Sequence, residues 1–549
     1  MGRLDREQFH NGVYVGGLAL IAATLPVSVY FMSVAQLLIA GNWILQGRFP
    51  EKLRRYLANK PALVFSSVYL LYVIGFFYSS DASFAISTLK SKLPLFSLVF
   101  LIASSPPLAH GVKKWLLLVF SASITALSLI SVGLLLFGDV SDYRELSPFV
   151  SHIRVGLMTA LSVVVLVWLA LRKESERLFD ARLAVGAGLG GGQGEIGLPW
   201  AGMPGSARGW RIALMALATW HLVYLFMLQS LSGIIALFAV LVILGLRAIV
   251  SGNTFQRIFS AIALSLLALL VGGSLYWGWT QVTLDHREDL DRLESHTVAG
   301  NPYEHDTSSS FRENGYLVYV YIAPEELKQA WEDRSELDFM GLDHRGQELR
   351  YTLFRFMTSR GLRKDAAGLA QLSGEEIQAV EDGVANVNYL HWPGLLIRIH
   401  QTFWEISEFR REGKPEGHSL SQRVEYWKAA TEAIGKRPWV GWGTGDYLLA
   451  MQYGFERIES RLEFRSHMKP HNQYLSMLVL FGFVGLSWFL FAVFYPAYRL
   501  GGFHYLPFLA FFVIFMVSLF IDDTMETQAG LTFFVFFYNF FLFLRERSV

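Results

Sequence analysis

Long apolar runs recur along the whole 549-residue chain. A run of about 20 apolar residues crosses the hydrocarbon core of a bilayer as one helix, because lipid leaves backbone polar groups no other partners. That length predicts about twelve spans, at residues 13–34, 37–45, 61–78, 84–103, 114–137, 152–171, 212–229, 231–250, 258–277, 472–496, 505–521 and 531–544. A break is also expected near residues 26–32. The sequence therefore predicts an all-α polytopic membrane protein.

Composition supports that class and excludes some chemistry. Charged residues make up 17% of the chain, against about 25% in soluble domains. The net charge of +1 implies no strongly acidic or basic partner. Cysteine is absent, which excludes disulfides, thiolate metal sites and a cysteine nucleophile.

The apolar runs are interrupted once by a long polar region. We expect an N-terminal membrane region of about nine spans at residues 1–278, with a flexible glycine-rich linker at residues 184–209. A large polar loop follows at residues 279–470 and is expected to be mostly helical, because it shows no alternating strand pattern. Residues 471–549 form a C-terminal membrane region of about three spans.

The basic residues of the short loops predict the orientation of the chain, because lysine and arginine favour the cytoplasmic side. They fall in alternate loops: Arg48, Lys52, Arg54, Arg55, Lys60, Lys113, Lys114, Arg172, Lys173, Arg177, Arg182, Arg208, Arg211, Arg247, Arg257, Arg545 and Arg547. The opposite loops, at residues 79–83, 138–151 and 522–530, are poor in them. Both termini are therefore predicted in the cytoplasm and the large polar loop outside.

The strongest local pattern lies at the start of the tenth span. His471 and Asn472 are followed by nine residues and then by Gly482 and Gly485. A histidine at the water boundary can act as a general base near neutral pH. The glycines lie about three turns along the same helix and would let another helix approach closely. The alternative is an interfacial histidine without chemistry.

Three basic side chains are candidates for binding phosphate oxygens. Arg423 begins an amphipathic helix that also carries Tyr426 and Trp427, and a guanidinium binds phosphate in a two-pronged geometry. Arg154 lies at the outer end of the sixth span, and Lys92 lies near the outer end of the fourth. Charges in such places often mark a function. The alternatives are a solvated Arg423 and an Arg154 that reaches lipid phosphates.

The last external loop carries three acidic residues: Asp522, Asp523 and Glu526. We expect them to orient a histidine or an arginine, or to cap a helix end. The glycine run at residues 441–445 is expected to form a tight loop near a phosphate, or merely a turn. His467 and His471 are four residues apart, but no carboxylate-bearing zinc motif joins them, so no metal site is predicted.

Together these residues resemble the O-antigen ligase and polymerase superfamily. Its ligase signature is a histidine, an amide or serine, nine residues, and a glycine-two-glycine pair, which residues 471–485 match at full spacing. Residues 423–445 resemble the run that precedes that histidine. Residues 361–365 and 522–527 resemble larger-looped members from Bacteroidota-type bacteria. The chain departs from many members at residues 230–231, where it reads serine-leucine instead of serine-arginine.

The resemblance implies a glycosyltransferase of the membrane C-type fold, in a bacterial inner membrane with its large loop in the periplasm. The implied donor is a glycan on undecaprenyl diphosphate, the acceptor is a hydroxyl of lipid A–core or of another glycan, and neither a metal nor a nucleotide is needed. His471 would take the acceptor proton, and Arg154 and Arg423, with Lys92 as a weaker candidate, would hold the diphosphate. Supporting roles fall on Asn472, Tyr426, Trp427, His467, Asp523, Gly482 and Gly485.

The sequence leaves other functions open. The nine-residue spacing favours an O-antigen ligase, while a polymerase or a protein O-oligosaccharyltransferase shares the signature. A transporter or flippase for lipid-linked sugar would also have about twelve spans, but the two halves of the chain show no internal repeat. A membrane scaffold would not need His471, Arg154 and Arg423 on one outer face.

Overall fold

The computed structural model describes residues 6–138, 140, 143–171, 182–183, 196–197, 207–284, 286, 290–413 and 419–544. The chain divides into two compact units. The first unit comprises Met1–Leu244, Tyr426–Ser460 and His467–Val549, and the second comprises Gly245–Glu425 and Arg461–Ser466. The predicted division into three parts at residues 278 and 470 stays a prediction.

Helices account for most of both units. The N-terminal half contains α1 (Arg6–Thr24), α2 (Val29–Gln46), α3 (Phe49–Ala58), α4 (Lys60–Ser66), α5 (Val68–Phe76), α6 (Ala82–Lys92), α7 (Pro94–Ser104), α8 (His110–Phe137), α9 (His152–Leu171), α10 (Ala207–Met227), α11 (Leu231–Ser251) and α12 (Thr254–Val282). The C-terminal half contains α13 (Pro324–Glu332), α14 (Leu349–Ser359), α15 (Ala366–Leu369), α16 (Gly374–Glu381), α17 (Gly394–Glu412), α18 (Ser419–Lys436), α19 (Tyr447–Arg457), α20 (Gln473–Arg499), α21 (Leu506–Ile521) and α22 (Gln528–Leu542).

The described residues contain eight helical segments long and apolar enough to cross a membrane: α2, α6 with α7, α8, α9, α10, α11, α12 and α20. Helix α3 and the pair α4–α5 pass the same test together but meet at an angle of 87°. Helices α21 and α22 are shorter apolar helices, and α1 lies in the first predicted run. These segments confirm the prediction of an all-α polytopic membrane protein.

The first two membrane helices divide at residues 25–28, which overlaps the break expected near residues 26–32 and lies before the run boundary at residue 34. Helix α1 ends at Thr24 and α2 begins at Val29. Pro26 lies in the break, and proline cannot donate the backbone hydrogen bond that a continuous helix needs. Ser28 then caps α2 by accepting a hydrogen bond from the backbone N–H of Phe31 at 3.2 Å, as N-cap serines commonly do.

Helix α22 is the most deeply buried helix of the first unit, and it packs against α7, α9 and α21. Its core is aromatic: the rings of Phe515 and Phe534 stack at 3.5 Å, and Phe65 stacks on Tyr538 at 4.0 Å. Large buried aromatic side chains contribute strongly to packing. The packing of α21 against α22 therefore holds the short turn between them, residues 522–527, in a rigid frame.

The second unit is predominantly helical, as expected for the polar region. Its core packs α13 and α14 around Trp331, Leu353 and Phe356, all of which are fully buried. A two-residue antiparallel hairpin, β3 (Arg312–Glu313) with β4 (Tyr316–Leu317), is attached to it. In the first unit, β1 (Arg182–Leu183) pairs antiparallel with β2 (Ile196–Gly197). The predicted glycine-rich linker and the basic residues 172, 173, 177, 545 and 547 fall largely or wholly outside the described residues.

Candidate functional site

The turn at residues 522–527 brings three carboxylates together between α21 and α22. Asp522 and Asp523 are almost completely buried, and the backbone N–H of Glu526 donates to the Asp523 carbonyl at 2.9 Å. A buried carboxylate needs charged or hydrogen-bonding partners, since burial without them costs several kcal/mol. Each acid in this turn has such partners, and they identify the site.

Asp522 joins a histidine to an arginine. Its Oδ1 lies 3.2 Å from His471 Nδ1, and its Oδ2 lies 2.8 Å from Arg154 Nη2. Burial alone would raise the pKa of Asp522, but the hydrogen bond from His471 and the charge of Arg154 outweigh it and hold the pKa below its ordinary value. The carboxylate is therefore charged near neutral pH. A neutral imidazole that donates from Nδ1 presents the lone pair of Nε2.

Asp523 holds the backbone around that histidine. Its two oxygens accept hydrogen bonds from the backbone N–H of His471 at 3.0 Å and of Asn472 at 3.1 Å, and from the Ser476 hydroxyl at 2.7 Å. Burial raises the pKa of the Asp523 carboxyl. His471 has a positive φ of 49°, which is uncommon for a residue with a side chain. Asp523 thus stabilises the unusual backbone conformation at the histidine, and its supporting role in a reaction stays a prediction.

Glu526 lies between two lysines. Its Oε1 is 2.7 Å from Lys92 Nζ, and its Oε2 is 2.9 Å from Lys469 Nζ. Burial alone would raise the pKa of Glu526, but the two ammonium groups lower it to about 2. The Lys92 side chain is 2% exposed and also donates to the Met525 carbonyl at 2.6 Å. The ammonium group is thus enclosed by the turn. The role of Lys92 as a diphosphate ligand stays a prediction.

The segment before α20 places the other predicted residues near the imidazole. Asn472 caps α20 by accepting hydrogen bonds from the N–H groups of Tyr474 and Leu475, so its amide has a structural use. Trp427 Nε1 donates to the Pro470 carbonyl at 2.9 Å. The Tyr426 ring lies 6.0 Å from the His471 ring. These contacts hold the backbone on both sides of His471 at the start of α20.

Two other predicted residues have different surroundings. The His467 ring stacks on Phe455 at 4.0 Å, which is a packing contact. Arg423 lies in α18, three residues before Tyr426, and belongs to the second unit. Its role as a diphosphate ligand stays a prediction.

Gly482 breaks α20 instead of admitting a neighbouring helix. Its φ is 62°, and a Cβ there would overlap the Trp439 carbonyl. Beyond the break, the N–H of Phe483 donates to the Pro438 carbonyl at 2.8 Å. A Cβ on Gly485 would meet Phe481, one turn back. The close neighbour is therefore a loop, and glycine is needed because the backbone enters the left-handed region.

The glycine run at residues 441–445 is that loop, and its N–H groups are used within the protein. Trp442 and Gly443 donate to the Val479 and Leu480 carbonyls at 2.9 and 2.8 Å. Thr444 donates to the Gly75 carbonyl, and Gly445 donates to the Ser79 hydroxyl at 2.8 Å. Of the two expectations for this run, the arrangement favours a packing turn over a phosphate-binding loop.

Sequence reasoning missed several members of the site. Tyr447 donates to or accepts from Ser476 at 2.6 Å, and Gln473 accepts from the Met525 N–H at 3.0 Å. Lys469 was not a candidate, although a lysine two residues before a candidate base was a visible signal. Within the described residues no group of three or more histidine, aspartate or glutamate side chains could hold a metal ion.

The fold and the site together define a multi-pass, all-α membrane protein with an acid-paired histidine at a helix end. Residues 383–490 match the family described as O-Antigen ligase, which confirms the predicted resemblance. The matched segment contains Arg423, His471 and Gly482 but ends before the acidic turn. No curated protein matches the chain.

Proposed function

We propose that the protein is a membrane glycosyltransferase that moves a glycan from undecaprenyl diphosphate to an acceptor hydroxyl. The favoured reaction is O-antigen ligation to lipid A–core on the periplasmic side of a bacterial inner membrane, with both termini in the cytoplasm. The observation that carries the proposal is the chain His471–Asp522–Arg154, with contacts of 3.2 and 2.8 Å. The family match over residues 383–490 supports the class of reaction.

The imidazole supplies the base. A hydroxyl is a poor nucleophile, and a positioned base that removes its proton contributes about 10²- to 10⁴-fold to the rate. Asp522 holds His471 through Nδ1, so Nε2 would accept the acceptor proton. The His471 side chain is 36% exposed, which leaves room for an acceptor beside a buried carboxylate.

Basic side chains supply the stabilisation of the leaving group. When the sugar leaves, negative charge grows on the diphosphate, and fixed guanidinium groups stabilise such charge without a metal ion. Arg154 pairs with the second oxygen of Asp522. The same carboxylate therefore contacts both the proposed base and a proposed diphosphate ligand. Arg423 is the second proposed diphosphate ligand.

The proposal is tested by the lipopolysaccharide banding pattern of a deletion strain that carries the wild-type gene, His471→Ala or His344→Ala. His344 is a matched control, because it also pairs with an aspartate, Asp382, at 2.9 Å. We expect wild type and His344→Ala to restore capped bands. We expect His471→Ala to lose them at normal protein level while polymer accumulates on undecaprenyl diphosphate.

Other outcomes would replace the proposal. Core that carries a single repeat unit in the deletion strain would indicate a polymerase. An unchanged pattern with loss of a protein-linked glycan would indicate a protein O-oligosaccharyltransferase. Absence of transfer by the purified protein in detergent, where no sealed compartment exists, would favour a transporter. Full capping by His471→Ala would remove the base role.

A further inference from the structure

Lys469 combines an ion pair, an aromatic contact and partial exposure at the site. Its ammonium group lies 2.9 Å from Glu526 Oε2 and 4.9 Å from the centre of the Tyr447 ring. Its side chain is 31% exposed. The ammonium end of Lys469 is thus held by the protein, while about one-third of the side chain is exposed.

The Glu526 carboxylate has one positive charge beside it more than it needs for neutralisation. Glu526 already has a buried counter-ion, because Lys92 Nζ lies 2.7 Å from its other oxygen. Two ammonium groups therefore share one carboxylate. Asp523, in the same turn, accepts its hydrogen bonds from His471, Asn472 and Ser476. Removing Lys92, the buried partner of Glu526, would be costly. Lys469, whose side chain is partly exposed, is the cation that can bind an anionic ligand.

Lys469 and the candidate base are held by the two ends of one turn. Asp522 binds the His471 imidazole, and Glu526, four residues on, binds Lys469. The two residues are also separated only by Pro470, whose carbonyl accepts from Trp427. An anion that leaves a reacting centre beside His471 would therefore meet this ammonium group.

We propose that Lys469 binds the diphosphate of the lipid-linked donor, in the place that sequence reasoning gave to Lys92. The inference rests on the proposed glycosyltransferase function. Lys92 then acts as a positioning residue: it neutralises Glu526 from the buried side, and Glu526 holds Lys469 in place. An ammonium group suits this role as a compact charge with three donors.

The test uses the purified full chain with a lipid-linked glycan donor. Lys469→Met is compared with Lys469→Arg and with Lys328→Met, a control in which a partly exposed lysine also pairs with a glutamate, Glu332. We expect Lys469→Met to raise the donor KM by about 10-fold or more, since hydrogen bonds to charged groups are worth that much. Lys469→Arg should recover most of the affinity, and Lys328→Met should match wild type.

A binding measurement separates ligand binding from stability. Undecaprenyl diphosphate should raise the melting temperature of wild type and Lys328→Met, and should raise it less in Lys469→Met. If Lys469→Met does not fold, Lys469→Gln, which keeps a donor for Glu526, replaces it in both assays. Wild-type donor KM and wild-type ligand shift in the folded variant would overturn the inference. Lack of transfer by wild type would overturn the glycosyltransferase function itself.

Discussion

Each unit holds a glutamate that is largely or fully buried, but the two glutamates are surrounded differently. In the second unit, Glu313 is fully buried, and its two oxygens contact Arg355 at 2.6 Å and Asn386 at 2.9 Å. The Arg355 guanidinium in turn lies 4.4 Å from the Trp404 ring. Burial raises the pKa of Glu313 despite these partners. The cluster has one cation for one acid, and an aromatic ring covers that cation.

In the first unit, Glu526 has two cations, and its pKa is lowered to about 2 despite burial. The partners of its turn reach outward, since Lys469 and His471 are each about one-third exposed. Buried charge is thus common to both units. What distinguishes the candidate site is that its carboxylates hold side chains that stay about one-third exposed and can contact a ligand.

The comparison is tested most strongly at Asp522. Asp522→Asn removes the charge that holds His471 and Arg154 but keeps the shape of the side chain. Because an amide can donate to Nδ1 and favour the wrong tautomer, we expect transfer to fall on the order of 100-fold. Initial rates with a lipid-linked donor would measure the loss.

Asp382→Asn is the matched control for Asp522→Asn. It breaks the exposed pair of His344 and Asp382, both of whose side chains are 53% exposed. Exposed pairs contribute about 0–1 kcal/mol, so transfer and stability should stay near wild type. Equal rates for wild type and Asp522→Asn at equal protein level would remove the base-orienting role.

A smaller effect is expected at the helix break. Gly482→Ala puts a Cβ against the Trp439 carbonyl at a positive φ, and such strain costs about 1–3 kcal/mol. Gly435→Ala is the matched control, because a Cβ at that helical position meets no atom within 4 Å. Melting temperature should fall for Gly482→Ala and stay constant or rise slightly for Gly435→Ala. Similar melting temperatures would show that the break tolerates a side chain.

The membrane helices could be predicted from sequence because span length depends on local composition and a rise of about 1.5 Å per residue. The partner of Gly482 could not. A glycine pair within an apolar helix commonly admits another helix. Here the backbone around the break instead donates hydrogen bonds to, and accepts them from, a loop about 40 positions earlier in the chain. Long-range backbone pairing of this kind leaves no periodic signal.

The site was predictable where a charge stood against its surroundings. Arg154 and His471 were visible because polar side chains at the ends of apolar runs are costly. Their link through Asp522 was not, since His471 and Asp522 are 51 residues apart in sequence. Lys92 looked like a ligand for the same reason as Arg154. Only the fold shows that Glu526, 434 residues away, neutralises it.

The smallest expected effect is a difference in sign between the two glutamates. The pKa of Glu526 is about 2 in the folded protein against an ordinary 4.5, so between these values the unfolded chain binds more protons. Stability from Glu526 is therefore present above pH 4.5 and lost as pH falls. The pKa of Glu313 is raised, so the folded protein binds more protons above pH 4.5 and stability from Glu313 falls as pH rises.

Melting temperatures of wild type, Glu526→Gln and Glu313→Gln between about pH 3.5 and 7 would resolve the two signs. Glu526→Gln should flatten the loss of stability on the acid side, and Glu313→Gln should flatten the loss above pH 4.5. The comparison rests on the slope of melting temperature against pH in each variant, and not on the melting temperature at pH 7. If both variants changed the acid side alone, Glu313 would be as strongly stabilised in its charged form as Glu526. The contrast between a closed ion pair and an outward-reaching one would then fail.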